Sequence, residues 1–286
     1  MSLPTVSRRR FLTYSAILPW ALEVPTAGDI PVGLELYSVR EELKRDPQAT
    51  VRAVAGMGYR CVEFYAPYFE WTESQAKEMR KLLDDLGIRC SSTHNDRAYF
   101  SREKLAKARD LNLILGSKYM VMASANPKPG EDGWKEVAET LNAAAEQLES
   151  AGLKTGYHNH QLEFTPDAKL PLHARPMEII AKNTKSTVML QLDVGTCVQA
   201  GSDPVAWIRA NPGRIRSLHC KDWSPDAGKG YAVLFGEGVA DWKNIFAASE
   251  SVGGVEYYLV EQEGSRYSEL DTVRKCLAEF RARHAR

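Results

Sequence analysis

Between Ile30 and the C-terminus, short apolar runs alternate with amphipathic helical patterns eight times, and nothing else in this 286-residue chain constrains its fold as strongly. The strand candidates are Val32–Tyr37, Cys61–Tyr65, Arg89–Thr93, Tyr119–Ala123, Lys154–His158, Val188–Asp193, Ile215–His219 and Tyr257–Glu261. Each is rich in β-branched or aromatic residues, or alternates over its length. Helical patterns such as Gln48–Met57, Ser74–Leu86, Trp134–Ser150, Pro204–Ala210, Trp242–Ser251 and Ser268–Arg283 lie between or after them. Gly58, Gly87, Gly116, Gly152 and Gly213 stand where a helix would stop and a strand begin. Eight β-then-α units require parallel strands joined by helical crossovers. A doubly wound sheet would carry a glycine fingerprint after its first strand, and Leu34-Glu35-Leu36-Tyr37-Ser38 has none. The expectation is a single α/β domain over residues 28–286, a (β/α)₈ TIM barrel.

The chain begins differently. Ser7-Arg8-Arg9-Arg10-Phe11-Leu12 precedes a mainly apolar run to Val24 and then Pro25-Thr26-Ala27. Paired arginines, a short apolar region and small residues form the pattern of a twin-arginine export signal over residues 1–27. Its partner would be the export machinery, and its product a periplasmic or otherwise exported protein. The apolar run is too short to span a bilayer, and no cysteine before Cys61 offers a lipid anchor, so no membrane anchoring is expected after cleavage. Lys and Arg (37) balance Asp and Glu (37) without a basic block, which argues against a nucleic-acid partner. The five cysteines are widely spaced and lack a C-x-x-C pair, so they read as buried apolar residues.

In such a barrel, chemistry sits at the C-terminal ends of the strands. Four of the six histidines fall there, namely His94, His158, His160 and His219. His158, Asp193, His219 and Glu261 end four successive strands, five to eight. Two imidazoles and two carboxylates, with room for substrate oxygens, suit Mn²⁺, Co²⁺, Fe²⁺ or Zn²⁺. Residue type and position leave a second reading open, in which they are hydrogen-bonded polar groups lining the barrel mouth.

From Val32 onward the chain resembles the sugar phosphate isomerase/epimerase family with the xylose isomerase-like barrel. The resemblance rests on Gly33-Leu34-Glu35-Leu36-Tyr37-Ser38-Val39-Arg40, on Gly156-Tyr157-His158-Asn159-His160 with Glu163-Phe164, and on Leu192-Asp193-Val194-Gly195. It continues through His219-Cys220-Lys221-Asp222, Gly236-Glu237-Gly238-Val239-Ala240-Asp241-Trp242 and Val260-Glu261. It implies a divalent metal, usually manganese, held at the ends of strands five to eight by His158, Asp193, His219 and Glu261. Many relatives carry a glutamate where this chain has His158, and several place a substrate-binding histidine near Thr196. The implied chemistry is isomerisation or epimerisation of a small carbohydrate through an enediolate. The alternative is a lyase, eliminating from a keto-inositol or a 3-keto-glycoside at the same site. Glu261 is the first candidate for moving the proton, followed by His160, Glu163 and Lys221. Glu35, Glu63 and His94 are expected to contact substrate hydroxyls, and Tyr37 and Trp223 to wall the sugar. An exported enzyme points to unphosphorylated carbohydrate.

Overall fold

The computed structural model describes residues 30–284, so the segment assigned to export lies outside the described residues. Eight parallel strands close in chain order. They are β1 (Val32–Glu35), β2 (Cys61–Phe64), β3 (Arg89–Asp96), β4 (Tyr119–Ser124), β5 (Lys154–His158), β6 (Met189–Asp193), β7 (Ser217–Cys220) and β8 (Tyr257–Val260). β8 pairs with β1 through Val32↔Tyr258, Gly33↔Leu259 and Leu34↔Val260, which completes the expected (β/α)₈ barrel. Among the described residues no helix is long and apolar enough to cross a membrane.

Local chemistry starts and stops the outer helices. Pro47–Met57 begins with the Asp46 carboxylate accepting from the Ala49 N–H, and Glu73–Leu86 begins with a reciprocal Thr72–Gln75 box. Gly58, Gly87 and Gly116 close three helices in the left-handed region, where a side chain would be strained. The remaining crossovers use Leu105–Leu115, Glu131–Glu149, Pro176–Asn183, Pro204–Ala210 and Trp242–Ala248, and Glu269–His284 follows the last strand.

Most strands differ from expectation by a residue or more at a boundary, and among the C-terminal ends those of β1 and β3 shift furthest, each for a reason at the site. β1 stops at Glu35 because its carboxylate accepts from the Tyr37 N–H at 2.7 Å and turns the chain into Leu36–Val39. β3 runs three residues past Thr93, since His94 and Asn95 pair with Val121 and Met122 and the Asn95 amide donates to the Val121 carbonyl. Polar residues weaken the strand pattern in sequence, yet here their side chains have partners inside the barrel.

Strand alternation divides the interior into layers. Cys61, Tyr119, Val121, Met189, Tyr257 and Leu259 form an apolar plug within the ring. Two residues further along their strands come Glu63, Gln191 and Glu261. The opposite faces of the strands, including Val62, Phe64, Leu190, Leu218 and Val260, pack under the helices. All five cysteines are buried free thiols. The apolar plug therefore separates the polar layer of Glu63, Gln191 and Glu261 from the opposite end of the barrel, where Lys118, Tyr119 and Arg216 meet Glu256.

Candidate active site

The polar end is built by strand termini that hold one another. Asp193 ends β6 and caps the helix Val194–Gln199, accepting from the Thr196 N–H at 3.0 Å through Oδ1, which leaves Oδ2 for the site. Thr196 itself is buried against the Asn159 amide at 2.9 Å. Asn159 also accepts from the Asp193 N–H at 2.9 Å, locking the end of β5 to β6. After β7, the Asp222 carboxylate gathers the Trp223, Gly236 and Ala240 N–H groups and the Trp242 indole N–H. A Cβ on Gly238 would lie 2.0 Å from Asp222 Oδ1, so that loop closes only with glycine there.

Of the two predicted metal-binding imidazoles, His158 has one ring nitrogen tied and His219 has both. His158 Nδ1 donates to the Gln191 carbonyl at 3.0 Å, which leaves Nε2 facing Asp193 Oδ2 at 4.0 Å. His219 Nε2 donates to Glu63 Oε1 at 2.7 Å, and its Nδ1 meets Glu261 Oε2 at 2.6 Å. His94 Nε2 donates to Gln191 Oε1 at 2.8 Å and lies 3.0 Å from Glu63 Oε1. Gln191 completes the layer by donating to Glu63 Oε2 at 3.0 Å and to Ser217 Oγ at 3.2 Å.

These contacts separate the protonation states. Burial, with His94 and His219 alongside, pushes His158 well below the ordinary imidazole value, so it stays neutral. Burial also opposes charge on His219, but Glu63 and Glu261 outweigh it and hold its pKa well above that value. Against its own desolvation, Glu63 is held well below the carboxylate range by His94 and His219. Glu261 is likewise held low against burial by Lys221 and His219. Glu35 goes the other way. Burial, then Glu261 and Glu63, raise it well above the usual value, and its Oε1 is buried without a hydrogen-bond partner.

Lys221 lies under the loop, its side chain 1% exposed. Its Nζ is 3.4 Å from both Asp193 Oδ2 and Glu261 Oε1, bonds Glu263, and sits 4.5 Å from the Tyr231 ring centre.

Above this layer opens a cavity of about 510 Å³. Glu35, Tyr37, His94, His158, His160, Glu163 and Glu261 of the sequence-predicted set line it. Tyr37 and Tyr65 meet edge to face at 5.5 Å on one wall. His160 is exposed at the mouth, its ring 4.8 Å from that of His158, while Glu163 is buried and accepts from the Tyr157 hydroxyl and the His160 N–H. Glu63, Asp193, His219 and Lys221 form the floor beneath. Trp223 is half-buried and does not line the cavity.

The donor set fits a divalent ion. Ligating atoms of His158, Asp193 and Glu261 lie within 4.8 Å of one another, and His219 reaches the group through Glu261. Neutral imidazole at His158, ionised carboxylate at Glu261 and an outer acceptor that fixes the His158 ring are what such a centre requires, while His219 would first give up a proton to ligate.

A family model described as the xylose isomerase-like TIM barrel matches residues 51–281. The chain belongs to the xylose isomerase-like TIM barrel family. Within it, the chain resembles a sugar phosphate isomerase/epimerase of Parabacteroides distasonis of known crystal structure. That likeness has a TM-score of 0.76 and 28% identity, covering 88% of this chain and 96% of the other. Inosose dehydratases are also similar. The protein of Clostridium beijerinckii is 25% identical over 151 residues, 46% of this chain and 48% of that one. The protein of Clostridium tetani is 24% identical over 204 residues, 64% of this chain and 66% of that one. The chain thus spans about half to two thirds of the length of these two relatives.

Sequence reasoning passed over Gln191, Ser217 and Tyr231. The first two precede Asp193 and His219 by two residues on their strands, so inward alternation alone marks them. Tyr231 reaches Lys221 from a loop, and no local pattern announces it.

Proposed function

We propose that this xylose isomerase-like barrel is a metal-dependent isomerase or epimerase of an unphosphorylated sugar or keto-sugar derivative. The observation that carries this reading is the convergence of His158, Asp193 and Glu261, with His219 held against Glu261, at a cavity whose mouth holds the exposed imidazole of His160. A divalent ion held by these four residues, manganese being the first expectation, would polarise a carbonyl and stabilise an enediolate. The chain's own groups divide the remaining work. Glu261 is kept ionised and weakly basic by Lys221 and His219, so it suits holding an ion better than taking a proton. We therefore assign proton abstraction next to the carbonyl to His160, oriented through its backbone by Glu163. Glu35, which retains its proton, donates from Oε1 to a substrate oxygen. Tyr37 and Tyr65 pack on the sugar face.

The substrate class follows from charge. Asp96, Glu163, Glu261 and Glu263 line the cavity beside the neutral Glu35, and among the described residues no lysine or arginine does. A phosphate ester would enter against like charge at a cost of several kcal/mol. Its kcat/KM should fall at least roughly 100-fold below that of the free sugar. Equal turnover of the two would remove the charge argument.

Elimination is the second reading, favoured by the inosose dehydratase relatives and by the proton on Glu35, which can pass to a departing oxygen β to the carbonyl. Turnover in D₂O separates the two. Isomerisation leaves deuterium in a product of unchanged formula, whereas elimination releases water or an aglycone. Absence of both, and of any metal requirement, would refute the enzyme assignment.

We assign residues 1–27 to a twin-arginine signal, supported by Ser7-Arg8-Arg9-Arg10-Phe11-Leu12. Replacing Arg8 and Arg9 by Lys should retain the protein in the cytoplasm; unchanged export of that variant would overturn the assignment.

A further inference from the structure

We propose that Lys221 competes with the divalent ion for Asp193 and Glu261, so the chain carries an internal cation that sets the affinity of its own metal centre. The inference deepens the metal reading above and rests on it.

Asp193 Oδ2 is the oxygen that faces His158 Nε2 at 4.0 Å, and the same oxygen lies 3.4 Å from Lys221 Nζ. Glu261 belongs to the same ligand group and lies 3.4 Å from Nζ through Oε1. Among the described residues no other lysine or arginine contacts either carboxylate. An ion drawing on these oxygens therefore meets the ammonium at the same atoms. Both would be buried, where like charges a few ångströms apart repel far more strongly than in water. The lysine cannot withdraw as a whole. Gly195 presses on its stem, since a Cβ there would lie 2.9 Å from the Lys221 carbonyl oxygen and 3.0 Å from its Cγ. Its head group has another anchor, because Nζ also bonds Glu263 and faces the Tyr231 ring. Glu263 lines the cavity, so an ion that takes Asp193 and Glu261 leaves Lys221 to a carboxylate on the substrate side. In the absence of the ion, the ammonium compensates two buried carboxylates that would otherwise repel each other.

The test uses the full chain, stripped with chelator, and two substitutions. Lys221→Met removes the competing charge, whereas Lys221→Arg keeps it. Mn²⁺ titration by calorimetry should give Lys221→Met a Kd at least about tenfold lower than wild type, with Lys221→Arg within about threefold of wild type. Added Mn²⁺ should also raise the melting temperature of Lys221→Met more than that of wild type. Mn²⁺ uptake by Lys221→Met but not by wild type supports the competition in its strongest form. Equal or weaker binding by Lys221→Met, with normal binding by wild type, overturns the competition and leaves the metal centre standing. No uptake by any of the three proteins overturns both. A Lys221→Met chain that does not fold is replaced by wild type labelled at its lysine nitrogens. There the Lys221 Nζ resonance should move on stoichiometric Zn²⁺, and a resonance that stays in place overturns the proposal.

Discussion

Replacing His158 with Ala should strip the protein of its divalent ion and of its turnover together. In the proposed centre His158 would supply the neutral nitrogen, since its Nδ1 is committed to Gln191 and its Nε2 is turned to Asp193. Loss of an outer partner such as Gln191 commonly costs about 10- to 100-fold in metal affinity, so loss of the ligand itself should cost at least about 100-fold. Elemental analysis of the purified variant, alongside kcat/KM with excess metal, is the measurement. His158→Ala leaves a space rather than an unpaired charge, so folding should persist and circular dichroism should match wild type. Full metal occupancy in the variant would refute the ligand assignment, whatever happened to the rate.

Glu63→Ala should produce the largest loss of stability of any single change at the site. The Glu63 carboxylate is completely buried, and its oxygens contact His94, His219, Ser92 and Gln191. Removing it strips the charged His219 ring of one of its two buried carboxylate partners, leaving Glu261 alone at Nδ1, and leaves the Ser92 hydroxyl without its acceptor. Breaking a buried pair in this way costs about 3–5 kcal/mol. For a domain of this size that corresponds to a fall in melting temperature on the order of 10 °C. The pH dependence gives a second check in metal-free protein. The pKa of Glu63 is depressed by folding, so its contribution is present above its unfolded value of about 4.3 and fades as the pH falls. The pKa of His219 is raised by folding, so its contribution is full below about 6.5 and fades as the pH climbs through the higher folded value. The gap between wild type and variant should therefore be widest from about pH 4.5 to 6.5 and narrow on further acidification. A flat gap across that range would mean that the pairing of Glu63 with His219 contributes nothing to stability.

The architecture was legible in sequence because it depends on local periodicity. A strand that buries both faces reads as an apolar run, a crossover helix reads as an amphipathic pattern, and the count of eight decides closure. The floor of the site was legible for a related reason. Polar residues at the ends of otherwise apolar strands, such as Asp193 in Met189–Asp193 and His219 in Ser217–Cys220, stand out against their neighbours. Roles within the site were less legible. Glu35, Glu63 and Glu261 are the same kind of residue at equivalent strand ends, and the sequence ranks them by type alone. In the folded protein Glu35 is raised in pKa beside other acids, Glu63 orients two imidazoles from below, and Glu261 is held ionised by Lys221 and His219.

By itself, then, the sequence determined the closed ring of eight parallel strands and the end of that ring at which chemistry is placed, because both follow from period-two and period-3.6 patterning along the chain. Only the tertiary structure decided which nitrogen of His158 is left unbonded, that both nitrogens of His219 are held by carboxylates, which carboxyl keeps its proton, and that Lys221 shares the oxygens of Asp193 and Glu261. Those properties arise from distances between strands far apart in sequence and from the exclusion of water around them, and neither is written in any local stretch of residues.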